Sequence, residues 1–460
     1  MSVTNRIEPF EIDNLGRNNI ILNDIQETND NIIFQDDSSE SKERKTINKG
    51  VDNEFSCILN IVVSAIGGGS FAMPFIVYQG GIIVSLLIFI FVTFSVFYSV
   101  DLLRSFVVDT KYFSFALMTE TILGPKWLKV YAFCSFTIYT SMEVSYLTSI
   151  FMYVKGIHGL ISPFSIILYF VISTIIEIII CLNITRIPNL RCLSITTMFC
   201  YIIMLISLII VSIIANATGE VSGKFTNDRL FFPDINPDTF MNKLFLMSSY
   251  VMVYTFGYSY HSTFPTLIGT LKGVTHPNTK KVHYISFGII CLSYLLISIF
   301  GYLLSNNVPT EIFQDNDDLV KGVWSSLRTP FKYILIIFLL FLIPVRFIVL
   351  RDNYITLIGK KKMTFFKELI IVGIFIIICN ILVFTVSKFE EKLEELQIKN
   401  MIQAFGGMFG VIITFCLPVI NYVAVNGKYK IRSLIGYVIL AMFVLIGILS
   451  TCHSFYQIFF

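Results

Sequence analysis

Long apolar runs separated by short polar connections dominate the chain from residue 55 onward. A bilayer core about 30 Å thick takes roughly 20 apolar residues per helix, and on that criterion about eleven runs qualify. They fall at approximately 55–78, 81–103, 129–154, 164–183, 193–215, 241–267, 284–305, 331–350, 367–387, 401–425 and 433–456, and are numbered here as spans 1 to 11. Between spans 2 and 3 the stretch 112–128 mixes Phe113, Leu117, Ile122 and Trp127 with polar residues, which predicts a short helix lying at the membrane interface. Residues 1–54 are rich in Asn, Asp, Glu and Ser and hold no comparable run, so they read as a disordered tail separate from a transmembrane domain at 55–460. No cleavable signal is expected, and span 1 would also serve as the targeting signal.

Two spans are interrupted. Span 1 contains "SAIGGGSFAMPF" at 64–75, and span 6 contains "YTFGYSYHSTFPTL" at 254–267; each has glycine followed by proline near mid-depth. Unpaired backbone groups are not tolerated in lipid, so such a break belongs where it lines a protein cavity. A small-residue face packed on a neighbouring helix is the alternative for Gly67 to Ser70 taken alone. The second break decides between them. The two lie about 190 residues apart and five spans out of step, as expected if spans 1–5 and 6–10 are halves related by an inverted repeat, with span 11 added. Half-helix ends leave free N–H groups with partial positive charge and free C=O groups with partial negative charge. Those suit a carboxylate and an ammonium, the two groups an amino acid carries on one carbon. The predicted fold is an all-α integral membrane protein of about 11 transmembrane helices, a 5+5 inverted repeat plus one helix, with spans 1 and 6 broken.

Composition agrees: 55 % of the residues are hydrophobic and 14 % charged, and the mean hydropathy is +0.74, values of a polytopic membrane protein. A net charge of +3 spread over this length, with no zinc spacing and no basic helix, excludes nucleic acid as a partner. The partners expected are the lipid bilayer and an amino acid substrate. The nine cysteines stand singly in or near apolar segments and suggest neither disulfides nor metal. Counting Lys and Arg in the connections places roughly 17 on one side and roughly 10 on the other, tail excluded, and the positive-inside rule then puts the N-terminus in the cytoplasm. Plasma membrane and vacuolar or other endomembrane both fit.

The interrupted segments also carry a likeness. With "SAIGGGSFAMPFIVYQGG" in span 1, "FGYSYHSTFPTLIGTLK" in span 6 and "FLIPVRFIVLRDN" in span 8, supported by "IPNLRCLS" entering span 5 and "FGGMFGVIITFCLPVINY" in span 10, the chain resembles the amino acid/auxin permease family. That family includes vesicular, proton-coupled and sodium-coupled neutral amino acid transporters. The resemblance implies eleven spans in a fold like that of bacterial leucine transporters. It also implies that Gly67, Gly68, Gly69 and Ser70 offer backbone amides to the substrate carboxylate, and that Phe256 and Gly257 lie near its amino group and side chain. His261 and Pro265 match the pattern after the span 6 break, and Arg346 matches a basic residue near the inner end of span 8.

Five ionisable residues fall within or near spans: Asp101, Glu143, Glu177, His261 and Arg346. Each costs about 2.5–3.5 kcal/mol on insertion scales and calls for a reason. Asp101 stands beside Arg104 and reads as an interfacial pair. Glu143 reads either as a proton-binding or substrate-contacting group or as a structural hydrogen bond; Tyr139, Glu143 and Tyr146 share one helical face that would line the cavity. Glu177 favours a buried pair or a protonated carboxyl. His261 is a proton carrier or a structural histidine bonding a freed carbonyl, and Arg346 an inner gate, an ion pair or a snorkelling side chain. Sodium-coupled members of the fold use a span 8 hydroxyl, and 331–350 contains no Ser or Thr, so a sodium site is not expected. The lysine that replaces sodium in some proton-coupled relatives is absent from span 5. Glu143 and His261 are left as the candidate proton sites, with simple facilitation as the alternative to proton coupling.

No cofactor is expected, and an enzyme is not: the spans hold no paired aspartates, no His-x₄-Asp and no His/Glu cluster. Two broken helices fit alternating access better than a channel pore. An amino acid sensor signalling through the tail is the other reading of the same core. Neutral substrates are the default.

Overall fold

Span 1 folds as two half-helices, α1 (Glu54–Ala65) and α2 (Met73–Gly80). Span 6 does the same, as α8 (Phe240–Gly257) and α9 (Phe264–Gly269). At about 1.5 Å per residue, neither α1 nor α2 alone is long enough to cross a membrane. The other spans are α3 (Ile82–Thr110), α5 (Pro125–His158), α6 (Pro163–Ile184), α7 (Ile187–Ala217), α10 (His276–Leu304), α11 (Val323–Ile358), α12 (Phe365–Glu390), α13 (Leu417–Asn426) with the turns before it, and α14 (Ile431–Phe459). The interfacial helix expected between spans 2 and 3 is α4 (Phe115–Leu123). The computed structural model describes residues 52–67, 70, 72–158, 163–184, 187–217, 240–304, 323–358, 365–390, 406–427 and 430–459; the tail expected to be disordered lies outside them, apart from its last residues. The chain is an all-α integral membrane protein, and among the described residues five helices are individually long and apolar enough to cross a membrane.

Local sequence explains the helix ends. The Asn53 side chain accepts from the Ser56 N–H at 2.9 Å and starts α1. Pro74 and Pro265 stand at the first turns of α2 and α9, where a missing N–H costs nothing. The Ser114 hydroxyl caps α4 by accepting from Leu117 N–H at 3.4 Å. Two elements differ from plain spans. The chain enters α13 through π-helical turns at Gly406–Gly410 and Ile412–Cys416, and the Thr414 carbonyl accepts a short hydrogen bond from the Ser99 hydroxyl of α3. Helix α11, 36 residues long, contains Pro330 and Pro344, and each removes the helical donor for the carbonyl one turn back.

The inside and outside of the bundle are alike in chemistry. Buried side chains such as Ile61, Val96, Met204, Leu342 and Phe415 sit behind outward faces carrying Ile167, Val171 and Ile175 on α6, Ile374 and Ile381 on α12, and Leu434 and Leu445 on α14. Apolar outward faces cost nothing when the surroundings are lipid.

The half-helices meet on both sides of their breaks. At one end Asp52 forms an isolated parallel bridge with Leu271: its N–H donates to the Thr270 carbonyl at 3.0 Å and its carbonyl accepts from Lys272 N–H at 2.9 Å. The Cys57 thiol lies 3.4 Å from the Leu267 carbonyl. At the other end the Tyr250 hydroxyl donates to Gln79 at 3.3 Å. A Cβ added at Gly269 would stand 2.7 Å from Phe113 Cβ, an atom its own backbone holds in place. Gly269→Ala is therefore expected to cost about 1–2 kcal/mol of stability by overpacking. Thermal unfolding in detergent checks this against Gly288→Ala, whose added Cβ meets nothing within 4 Å.

Candidate substrate site

Helix α1 ends because Ile66 turns extended (φ −69°, ψ 110°). The chain then folds back on Gly67, whose carbonyl accepts both the Ser70 N–H at 3.0 Å and the Ser70 hydroxyl at 2.7 Å. This pulls the backbone away from the helix axis and leaves the last carbonyls of α1 without helical donors. Gly68 and Gly69 lie outside the described residues. In span 6, Gly257 closes α8 and Tyr258 to Thr263 run as successive turns, with Ser259 N–H on Phe256 O at 3.1 Å and Thr263 N–H on Tyr260 O at 3.1 Å.

The carbonyls freed at the two breaks converge. The Tyr294 hydroxyl, on α10, lies 2.8 Å from the Ala65 carbonyl and 2.7 Å from the Gly257 carbonyl. A hydroxyl has one proton, so it satisfies one of these acceptors at a time. Two helix C-termini, each carrying partial negative charge, thus point at one spot that a single neutral group occupies. A cation with several N–H donors would satisfy both.

Aromatic rings wall this spot. Phe256, Tyr254 and Tyr258 are buried. The Tyr258 ring meets Tyr294 edge-on at 4.8 Å and stacks near Phe287 at 5.9 Å, while its hydroxyl pairs with Thr93 of α3 at 2.9 Å. Tyr254 meets Phe89 at 5.7 Å. Beyond the second break the Tyr260 and Ser262 hydroxyls are buried with no hydrogen-bond partner among the described residues, while His261, also buried, lies by the backbone of Tyr258. A buried polar group left unpaired costs about 1–3 kcal/mol, so this cluster marks a place built for something other than packing.

Span 3 adds a further set of buried groups. Tyr139, Glu143 and Tyr146 are all buried, each 2 % exposed. Phe136, two turns before Glu143, packs on Phe375 of α12 at 6.0 Å, and Phe151, about two turns after it, stacks on Phe170 of α6 at 5.2 Å. Glu143 accordingly lies within electrostatic reach of the Cys181 thiol on α6 and the Cys379 thiol on α12, as does Glu177. Glu177 Oε2 accepts from Asn380 Nδ2 at 2.8 Å, while its Oε1 has no partner among the described residues. The two buried carboxylates share a region between α5, α6 and α12. Asp101 pairs with Arg104 at 2.8 Å, as expected from their spacing. Arg346 lies on α11, and its side chain is outside the described residues.

Sequence reasoning missed Tyr294 and Thr93. Tyr294 sits in "CLSYLLIS" as one of 22 tyrosines, and nothing in its neighbours distinguishes it. Only the meeting of two distant carbonyls does. Among the described residues no three His, Cys, Asp or Glu side chains come together as a metal site would require.

The family model described as "Transmembrane amino acid transporter protein" matches residues 52–460. Among solved structures, a histidine-to-alanine mutant of the Eremococcus coleocola manganese transporter is similar at 10 % identity over 93 % of this chain and 90 % of that one, with a TM-score of 0.60. The same transporter in complex with an aromatic bis-isothiourea substituted compound is similar at 9 % identity, over 91 % and 89 % of the two chains, with a TM-score of 0.58. At such identity the likeness shows the fold alone.

Proposed function

The chain belongs to the transmembrane amino acid transporter family, a family of transporters and not of enzymes, and from that premise we propose that it carries amino acids, neutral ones by default, by alternating access with proton coupling. The observation that carries this reading is the convergence of the Ala65 and Gly257 carbonyls on the Tyr294 hydroxyl. A substrate ammonium, with three donors, takes over both carbonyls where the hydroxyl serves one. The segment Gly67, Gly68, Gly69 and Ser70, which precedes α2, is assigned to the substrate carboxylate. Phe256 and Gly257 border the amino group and side chain, and Tyr139 contributes from span 3. Glu143, His261 and Arg346 serve proton coupling or gating. No cofactor takes part, and no sodium. The N-terminal tail is cytoplasmic, so the Asp52 end of the bundle faces the cytoplasm, in the plasma membrane or an endomembrane.

The deciding experiment is uptake of a panel of radiolabelled amino acids by the purified protein in liposomes, with and without an inward proton gradient, and with choline replacing sodium. Saturable uptake of neutral amino acids, raised by the proton gradient and indifferent to sodium, is the expected result. Uptake that requires sodium would overturn the coupling, and specific binding without flux would overturn transport in favour of a sensor.

A further inference from the structure

A hydroxyl on an apolar helix commonly satisfies itself on a carbonyl of its own helix one turn back. Ser95 does so on the Phe91 carbonyl at 2.8 Å and Thr110 on that of Phe106 at 2.8 Å, both within α3, as Ser298 does on Tyr294 at 2.7 Å within α10. Thr93, midway along α3 and half-buried, makes a different bond. Its hydroxyl lies 2.9 Å from the hydroxyl of Tyr258, 165 positions along the chain. The Tyr258 hydroxyl also lies 3.6 Å from Cys291 Sγ, to which it donates. Sulfur is a weak acceptor, so Thr93 is the stronger of these two anchors, and it donates to the tyrosine oxygen when the tyrosine proton points at Cys291.

Tyr258 is a consequential side chain to hold. Its ring lies along α10, near-parallel to Phe287 at 5.9 Å and edge-on to Tyr294 at 4.8 Å; Phe287, Cys291 and Tyr294 share one face of that helix at i, i+4 and i+7. Its backbone N–H belongs to the same planar peptide unit as the Gly257 carbonyl, one of the two acceptors that meet at the Tyr294 hydroxyl. Helix α8 stops at Gly257, so regular helical bonding no longer fixes this unit from both sides. The Tyr258 N–H is shared between the Tyr254 and Thr255 carbonyls, each at 3.2 Å. Where backbone bonds are long and divided, the anchors of the side chain decide where the peptide sits.

We propose that Thr93 is a positioning residue for the substrate ammonium. Through the Tyr258 hydroxyl it holds the peptide unit of Gly257, and the ring against which Tyr294 stands, where the Gly257 and Ala65 carbonyls reach a single point. An ammonium takes both carbonyls only while they share that point. Thr93 acts through Tyr258 from a helix outside both breaks. The inference rests on the transport reading above and adds a residue that sets how tightly the amino group is held.

The test measures saturable uptake of a labelled neutral amino acid by the full chain in liposomes, together with thermal unfolding in detergent. Thr93→Val keeps the branched shape and loses the hydroxyl. It is expected to raise KM about tenfold with Vmax per folded protein within about twofold of wild type, a loss of binding and not of turnover. Thr93→Ser, which restores the hydroxyl, should return KM to within about twofold of wild type. Tyr258→Phe keeps the ring contacts, should raise KM to the same extent as the valine variant, and serves if that variant does not fold. The two changes act on one bond, so the double variant should be no worse than either single. A lowered unfolding temperature with unchanged KM would show a purely structural tie and overturn the proposal. A serine variant as impaired as valine, or effects on KM that multiply in the double variant, would overturn it too. Binding of an amino acid without flux overturns the transport reading alone, and the same ratios of dissociation constants then decide the role of Thr93. Neither flux nor binding of any amino acid overturns both.

Discussion

Tyr294→Phe is expected to destabilise the empty protein by about 1–3 kcal/mol and to raise its affinity for substrate by about tenfold, the two effects having one cause. The variant keeps the ring that Tyr258 meets edge-on at 4.8 Å, so packing changes little. What it loses is the single donor serving the carbonyls of Ala65 and Gly257. Both acceptors then lie unpaired in a region that water does not readily hydrate. The empty state bears that cost, and the substrate-bound state, in which an ammonium serves the two carbonyls, does not. A ligand stabilises a protein by its preference for one state over the other, so the substrate-induced rise in unfolding temperature should be larger for the variant than for wild type. Weaker substrate binding with unchanged stability of the empty protein would show that the hydroxyl does not hold the ammonium position.

Asn380→Leu is expected to cost about 3 kcal/mol, whereas Glu177→Leu combined with Asn380→Leu should recover most of it. The reason lies in the asymmetry of buried hydrogen bonds. In the single variant Glu177 keeps a carboxyl group with neither oxygen paired, since Asn380 is the one partner its Oε2 has at 2.8 Å among the described residues and Oε1 has none. Outside it lies an apolar groove of about 410 Å³, lined by Ile167, Phe170, Thr174, Ile377, Phe384 and Asn380 itself, facing lipid where no water comes to the rescue. The double variant removes both polar partners and replaces them with side chains that match the groove. Thermal unfolding of the four proteins of this cycle, wild type included, measures the coupling. A double variant no more stable than the Asn380 single variant would mean that the pair is not what holds α6 to α12.

The positions of both breaks could be read from glycine and proline alone, because a backbone interruption leaves a mark in residue type: Gly67 and Pro74 in span 1, Gly257 and Pro265 in span 6. The short helix between spans 2 and 3 was equally legible, since the stretch from Phe113 to Trp127 alternates where its neighbours do not. The π-helical entrance to α13 was not, because the glycines of "FGGMFGVIITFC" mark an irregularity without specifying its kind; there the Thr414 carbonyl meets the Ser99 hydroxyl of α3.

The orientation of side chains is where the sequence falls silent. In a soluble helix the polar residues mark the outward face, but here lipid outside and packed protein inside ask for the same apolar residues, so periodicity does not say which face turns inward. Glu143 and Tyr139 share a face by spacing, yet only the packing of Phe136 on Phe375 and of Phe151 on Phe170 shows which helices lie along span 3. By itself, then, the sequence determined the membrane, the spans and the two breaks, because each rests on the local chemistry of backbone and lipid. The tertiary structure alone decided that Tyr294 bridges Ala65 to Gly257 and that Asn380 meets Glu177, because each joins residues from helices far apart in the chain whose rotation about their axes is set by packing and leaves no periodic trace.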